Sequence, residues 1–131
     1  MRNLTVVFDL DGTLVDTAPD LVGATNHALS DLGLPPVGAD ILRPWISFGA
    51  QRMIVEALLH SGEHLPPSEV ERLLALFLAY YEENIARESS AFPGVVTAIE
   101  TLTAGGARLA VCTNKRESLS RSLLTALDLD R

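Results

Sequence analysis

Apolar residues along this chain fall into two kinds of pattern, short unbroken runs and longer stretches at helical spacing. Leu4-Thr5-Val6-Val7-Phe8 is a β-branched, almost wholly apolar run that ends at Asp9. Leu109-Ala110-Val111-Cys112 is a second such run and ends at Thr113-Asn114. Runs of this kind suit strands buried on both faces, as in a parallel sheet. Between them the pattern turns helical. Leu21, Val22, Thr25, Ala28, Leu29 and Leu32 form one face of a helix that starts near Asp16 or Thr17, with Pro19 in its first turn, and stops at Gly33. A second helix covers residues 49–59 with Met53, Ile54, Ala57 and Leu58 inward. Ser68-Glu69-Val70-Glu71 fits a capping box and opens a third, running to about residue 86 with Val70, Leu73, Leu74, Phe77, Tyr81 and Ile85 apolar. Pro93-Gly94 precedes a fourth that ends at Gly105-Gly106, and Leu119, Leu123, Leu124 and Leu127 mark a fifth near residues 117–127.

The order is strand, several helices, helix, strand, helix. The helices between residues 16 and 90 are too many for one crossover between parallel strands. They predict a helical subdomain inserted into an α/β core, with residues 14–17 and 89–92 as the two linkers. Residues 1–15 and 91–131 then supply a Rossmann-like parallel-sheet core, incomplete in this chain, and residues 16–90 a helical cap.

Composition narrows the function classes. Against 17 acidic residues stand 10 lysines and arginines, a formal charge of −7 with no basic run, which is a poor surface for nucleic acid or an anionic membrane. A phosphate substrate would therefore need a local cation. The single cysteine, Cys112, excludes an internal disulfide and fits a reducing compartment. It reads as a small buried hydrophobe. Met1 leads directly into the first strand without the charged opening or apolar length of a secretory leader, and no stretch approaches the roughly 18–20 apolar residues of a membrane span. The expected protein is cytoplasmic, without nucleic-acid or membrane partners, and a monomer or homodimer.

Candidate chemistry sits where the first strand ends, at Asp9-Leu10-Asp11-Gly12-Thr13-Leu14. Two carboxylates two residues apart can face one pocket if the chain turns between them, and Gly12 allows a tight turn close to a phosphate. Magnesium takes hard oxygen ligands, usually one or two carboxylates plus substrate phosphate. One carboxylate can attack phosphorus to form an aspartyl phosphate. A second can protonate the leaving oxygen and then activate water. Asp-Gly is also a common turn pair, so the same residues suit a turn and a helix cap.

Val7-Phe8-Asp9-Leu10-Asp11-Gly12-Thr13-Leu14-Val15-Asp16-Thr17 resembles the first motif of the haloacid dehalogenase superfamily. Ala91-Phe92-Pro93-Gly94-Val95 and Val111-Cys112-Thr113-Asn114-Lys115 resemble the stretch around its second motif, and the helical insertion lies where that superfamily carries its alpha-helical cap. Among its branches the phosphoglycolate phosphatases look most similar. The resemblance implies Asp9 as nucleophile and magnesium ligand. It implies Asp11 as general acid/base, with its backbone carbonyl on the metal, Thr113 as a donor to the phosphoryl group, and Asn114 as an orienting residue. Lys115 either lines the pocket entrance or supplies charge beside a helix start. Gly12 would let the backbone approach the phosphate. The implied cofactor is Mg2+ and the implied substrate a small phosphorylated metabolite, 2-phosphoglycolate first. Sugar phosphomutases of the same superfamily keep both acids, and a non-catalytic phosphate-binding fragment is a third reading.

Trp45-Ile46-Ser47-Phe48-Gly49-Ala50-Gln51-Arg52 resembles the cap loop of phosphoglycolate phosphatases, with Ser47 where glycine is usual. Arg52 could meet a substrate carboxylate, though an exposed helix arginine is more often simply solvated. His27, His60 and His64 lack metal-like spacing and read as surface or packing residues, and Tyr80 and Tyr81 as packing. The superfamily's third motif, a Lys or Arg, and its fourth, an acidic pair, are not found. The expectation is the N-terminal portion of a longer phosphatase, with an open apolar edge on the first strand and no competent turnover by these 131 residues alone.

Overall fold

The computed structural model describes residues 4–113, 115 and 117–129. The chain runs β1 (Thr5–Phe8), β2 (Val15–Asp16), α1 (Ala18–Ser30), α2 (Ala39–Leu42), a 3-10 turn (Arg43–Phe48), α3 (Ala50–His60), α4 (Pro67–Glu83), β3 (Ser90–Ala91), α5 (Val95–Ala104), β4 (Arg108–Val111) and α6 (Glu117–Ala126). The two apolar runs are β1 and β4. They pair in parallel, Thr5 opposite Arg108 through Phe8 opposite Val111, and the ladder is closed by Arg108 N–H to Leu4 O (2.9 Å) and Cys112 N–H to Phe8 O (2.8 Å). A parallel pair brings both carboxyl ends to the same edge, which is where open α/β sheets carry their ligands. The architecture is α/β, a Rossmann-like sheet with flanking helices and a helical bundle.

Burial of the strands departs from expectation. The runs read as strands covered on both faces, yet Val7 is 59% exposed, and Leu4 and Val111 are exposed as well. The physical reason is an uncovered face: exposure alternates along β1, with Phe8 packed on the smaller core cluster while Thr5 and Val7 on the other face join neither cluster among the described residues. Cys112, expected to be buried, is also exposed.

α1, α3 and α4 follow the apolar spacing closely, whereas no described residue of α5 is fully buried. Ala18, Leu21, Ala24, Ala28 and Leu29 of α1 pack against Met53, Ile54, Ala57 and Leu58 of α3 and Val70, Leu73, Phe77 and Tyr81 of α4 in one buried cluster. Leu10, Leu14, Val15 and Leu123 form a second, smaller cluster beneath the sheet, with Phe8, Val95 and Ile99 against it. The capping box does not form. α4 starts at Pro67, its N-cap is Pro66, and no side chain caps it, because proline at the first helical position begins the helix before Ser68 can serve. α2 and the 3-10 turn were not anticipated by the spacing.

The two stretches expected to act as linkers pair with each other. Val15–Asp16 and Ser90–Ala91 pair as a two-stranded antiparallel ribbon, Val15 opposite Ala91 and Asp16 opposite Ser90, and Phe92 N–H extends it to Leu14 O at 3.1 Å. Among the described residues no helix is long and apolar enough to cross a membrane.

Candidate active site

Asp9 follows the last residue of β1, and its Oδ1 accepts the N–H of Leu10 at 2.8 Å. Leu10 is fully buried and anchors the turn that follows. Its carbonyl accepts N–H groups from Leu14 (3.1 Å) and Val15 (3.2 Å), while Gly12 N–H reaches Val15 O at 2.9 Å. Gly12 sits at φ +79°, a conformation that costs an L side chain energy even though a Cβ there would meet nothing within 4 Å. The turn carries Asp11 back to the same side as Asp9. Thr113 and Lys115 arrive from the carboxyl end of β4. All four line one cavity of ≈ 230 Å³, roofed by the helical bundle through Met53, Phe77 and Tyr81 and by the segment from Ile46 to Gln51.

The acids have different surroundings. Asp9 is exposed and Asp11 is 7% exposed. Lys115 Nζ lies 2.7 Å from Asp11 Oδ1 with both side chains almost fully covered. The approach is off the angle of an aligned hydrogen bond, so Oδ1 has charge compensation without a well-aligned donor. The same ammonium donates to the Tyr81 hydroxyl of α4. Burial pulls Lys115 below the usual lysine range, opposed mainly by the close negative charge of Asp11, then by that of Asp20. Burial pushes the Tyr81 phenol above its ordinary range, and the charges of Asp11 and Asp20 add to the shift, so Tyr81 stays a neutral hydroxyl. Thr113 Oγ1 accepts the Lys115 backbone N–H at 3.2 Å, which leaves the hydroxyl proton free to be donated elsewhere.

The structure therefore brings Asp9, Asp11, Thr113 and Lys115 together. Asn114 lies outside the described residues. Gly12 shapes the turn but does not line the cavity. Arg52 pairs with Glu56 at 2.9 Å and lies 4.9 Å from the Trp45 ring centroid, outside the cavity wall. His27 stacks on Tyr80 at 4.3 Å between centroids. Tyr81 does more than pack, because its hydroxyl reaches the site. Spacing carried no signal for that, since Tyr81 fits the apolar face of α4 as well as any neighbour. Among the described residues there is no group of three or more His, Cys, Asp or Glu side chains close enough to hold a metal.

Residues 6–131 match the family model described as "Haloacid dehalogenase-like hydrolase". The chain is 43% identical over 129 residues to a phosphoglycolate phosphatase of Caulobacter vibrioides, covering 98% of this chain and 54% of that protein. It is 44% identical over 131 residues to one of Mesorhizobium japonicum, covering 100% and 58%. The crystal structure of a predicted phosphoglycolate phosphatase from Haemophilus somnus superposes with a TM-score of 0.86 at 37% identity, covering 98% of this chain and 59% of the other. The chain thus spans about half the length of the curated relatives it matches. With a parallel β1–β4 pair that ends in Asp9, Asp11 and Thr113, and a family match over almost its whole length, the chain belongs to the haloacid dehalogenase-like hydrolases.

Proposed function

We propose that this chain carries the nucleophile half of a magnesium-dependent phosphatase site, and that the whole protein hydrolyses a small phosphomonoester, 2-phosphoglycolate being the first substrate to test. The observation that carries the reading is the convergence of Asp9, Asp11, Thr113 and Lys115 on one cavity at the carboxyl ends of a parallel strand pair. The phosphoglycolate phosphatases among the relatives support the substrate class.

Asp9 attacks the phosphorus. Its Oδ1 is held by the Leu10 N–H, which leaves Oδ2 as the attacking atom. The bond from phosphorus to the ester oxygen breaks, and Asp11 delivers a proton to that oxygen. Asp11 next takes a proton from water, the water oxygen bonds to phosphorus, and the acyl phosphate opens to inorganic phosphate and free Asp9. Thr113 donates its hydroxyl to a phosphoryl oxygen, and Lys115, which among the described residues is the one cationic side chain lining the cavity, offsets the phosphate charge.

Magnesium fits the residues present, because it takes only one or two carboxylates along with water and substrate phosphate. Asp9 through its carboxylate and Asp11 through its backbone carbonyl would hold it. When bound it would neutralise phosphate charge and orient the phosphoryl group. Residues 16–90 act as a cap over a core formed by residues 1–15 and 91–131, closing to exclude water.

The test is phosphate release by the whole protein from p-nitrophenyl phosphate and from 2-phosphoglycolate, with and without magnesium. Metal-dependent release from both is expected. Transfer of the phosphoryl group to a sugar phosphate in place of water would sink the hydrolase reading.

A further inference from the structure

Lys115 and Tyr81 come from different parts of the structure. Lys115 follows β4 at the edge of the sheet, and Tyr81 lies near the end of α4 in the helical bundle. They meet at Lys115 Nζ, which donates to the Tyr81 hydroxyl and stands 2.7 Å from Asp11 Oδ1. The ring is not used face-on as a cation's seat. Nζ is 4.4 Å from its centroid while in contact with its hydroxyl, so the polar end of the side chain makes the bond. Tyr81 is 1% exposed and wedged against Phe77 at 5.9 Å between centroids, so its hydroxyl has a fixed position.

We propose that Tyr81 is a positioning residue of the active site, holding the Lys115 ammonium against Asp11 across the boundary between bundle and sheet. A lysine is a flexible stem bearing three donors. With both side chains covered, Nζ needs acceptors, since a buried donor left unmade costs free energy. The Tyr81 hydroxyl accepts from it, and the Asp11 carboxylate compensates its charge at 2.7 Å. Remove the hydroxyl and the ammonium has a reason to turn elsewhere, which takes away the charge that fixes the Asp11 carboxyl. Tyr81 thereby lets the bundle set the aim of an acid on the sheet without touching substrate itself. This inference rests on the reading of Asp11 as acid/base.

A double-mutant cycle in the whole protein tests it, with kcat and KM for 2-phosphoglycolate and thermal melting recorded for Tyr81→Phe, Lys115→Met and the pair. Tyr81→Phe is expected to lower kcat by about 10- to 100-fold, the scale of a small misplacement of a reacting group, with KM changed less than about twofold. The double variant should be no slower than Lys115→Met alone, because Tyr81 acts only through the lysine. Losses that multiply would overturn the proposal, as would an unchanged kcat in Tyr81→Phe. Tyr81→Met supplies a second side chain without a hydroxyl should Tyr81→Phe fold poorly. Asp9→Asn is run alongside. If it stays active, the aspartate mechanism fails and this proposal with it, whereas an inactive Asp9→Asn with multiplying losses at Tyr81 and Lys115 removes only the positioning role.

Discussion

Ser89 gives both of its donors to one oxygen of Asp20, its backbone N–H at 2.9 Å and its hydroxyl at 2.6 Å. Glu88 N–H adds a shared bond to both carboxylate oxygens at 3.0 Å. A buried carboxylate in the first turn of α1 therefore ties down the chain as it leaves α4 and returns to the sheet. Asp20→Ala would leave these donors unmade, and should lower stability by about 2–3 kcal/mol, the cost of an unsatisfied buried polar group next to a lost charged acceptor. Urea unfolding monitored by circular dichroism measures this. A change below about 0.5 kcal/mol, the usual scatter of surface substitutions, would mean the linker is held by other contacts.

Two substitutions separate the roles of the acids. Asp9→Asn should abolish turnover with the fold intact, because an amide cannot form the acyl phosphate. Asp11→Asn should slow turnover on the order of 10²- to 10⁴-fold, the usual worth of positioned acid–base catalysis. Single-turnover assays of the whole protein, with circular dichroism as the folding control, give both values. A near-normal rate in Asp9→Asn removes the covalent mechanism.

Thr113→Val keeps the shape of the side chain and deletes its hydroxyl. With one donor to the phosphoryl oxygens gone, kcat should fall by about 10²-fold, as for loss of a single donor aimed at developing charge. The comparison is kcat for Thr113→Val against Thr113→Ser, which restores the hydroxyl and should recover most of the rate.

The 131 residues on their own should be a poor phosphatase. Asp9 and Asp11 are the only carboxylates lining the cavity among the described residues, and magnesium sheds water reluctantly for so few protein ligands. Phosphoryl transfer depends on positioning and charge stabilisation, so a partial ligand set loses most of the rate. Turnover of 2-phosphoglycolate at roughly 1 s⁻¹ or faster by this chain, its mass confirmed, would show that further ligands are not needed.

The longer helices were legible because each repeats its apolar residues for more than two turns, whereas α2, with four residues, does not. Met53, Ile54, Ala57 and Leu58 are buried, as their spacing implied. β2 and β3 were not legible, since two residues apiece carry no period, and Val15–Asp16 and Ser90–Ala91 are recognisable only once they face each other. The 3-10 turn hid for a similar reason: a short element starting beside Pro44 buries Ile46 and leaves Phe48 exposed, with no regular face to detect. Asp9, Asp11 and Thr113 could be singled out because they sit at strand ends within recognisable motifs. Tyr81 and Asp20 could not. Each looks ordinary in its helix, and the partners that give them a task lie 34 and 69 positions away in the chain.

The β2–β3 ribbon means that the chain departs for the helical bundle and comes back at one place, along adjacent strands whose axes are about 4.8 Å apart. Seen from the sheet, the bundle is a plug on a two-pin socket. A folded segment whose own ends lie that close together would meet the backbone spacing of the socket and leave the β1–β4 pairing untouched. The helices between the two strands of the ribbon could then be exchanged by grafting at this one place, provided the incoming segment also covers Leu119 of α6, which packs into the bundle's core. On the proposed role of Tyr81, an exchanged plug would also need a hydroxyl placed at Lys115.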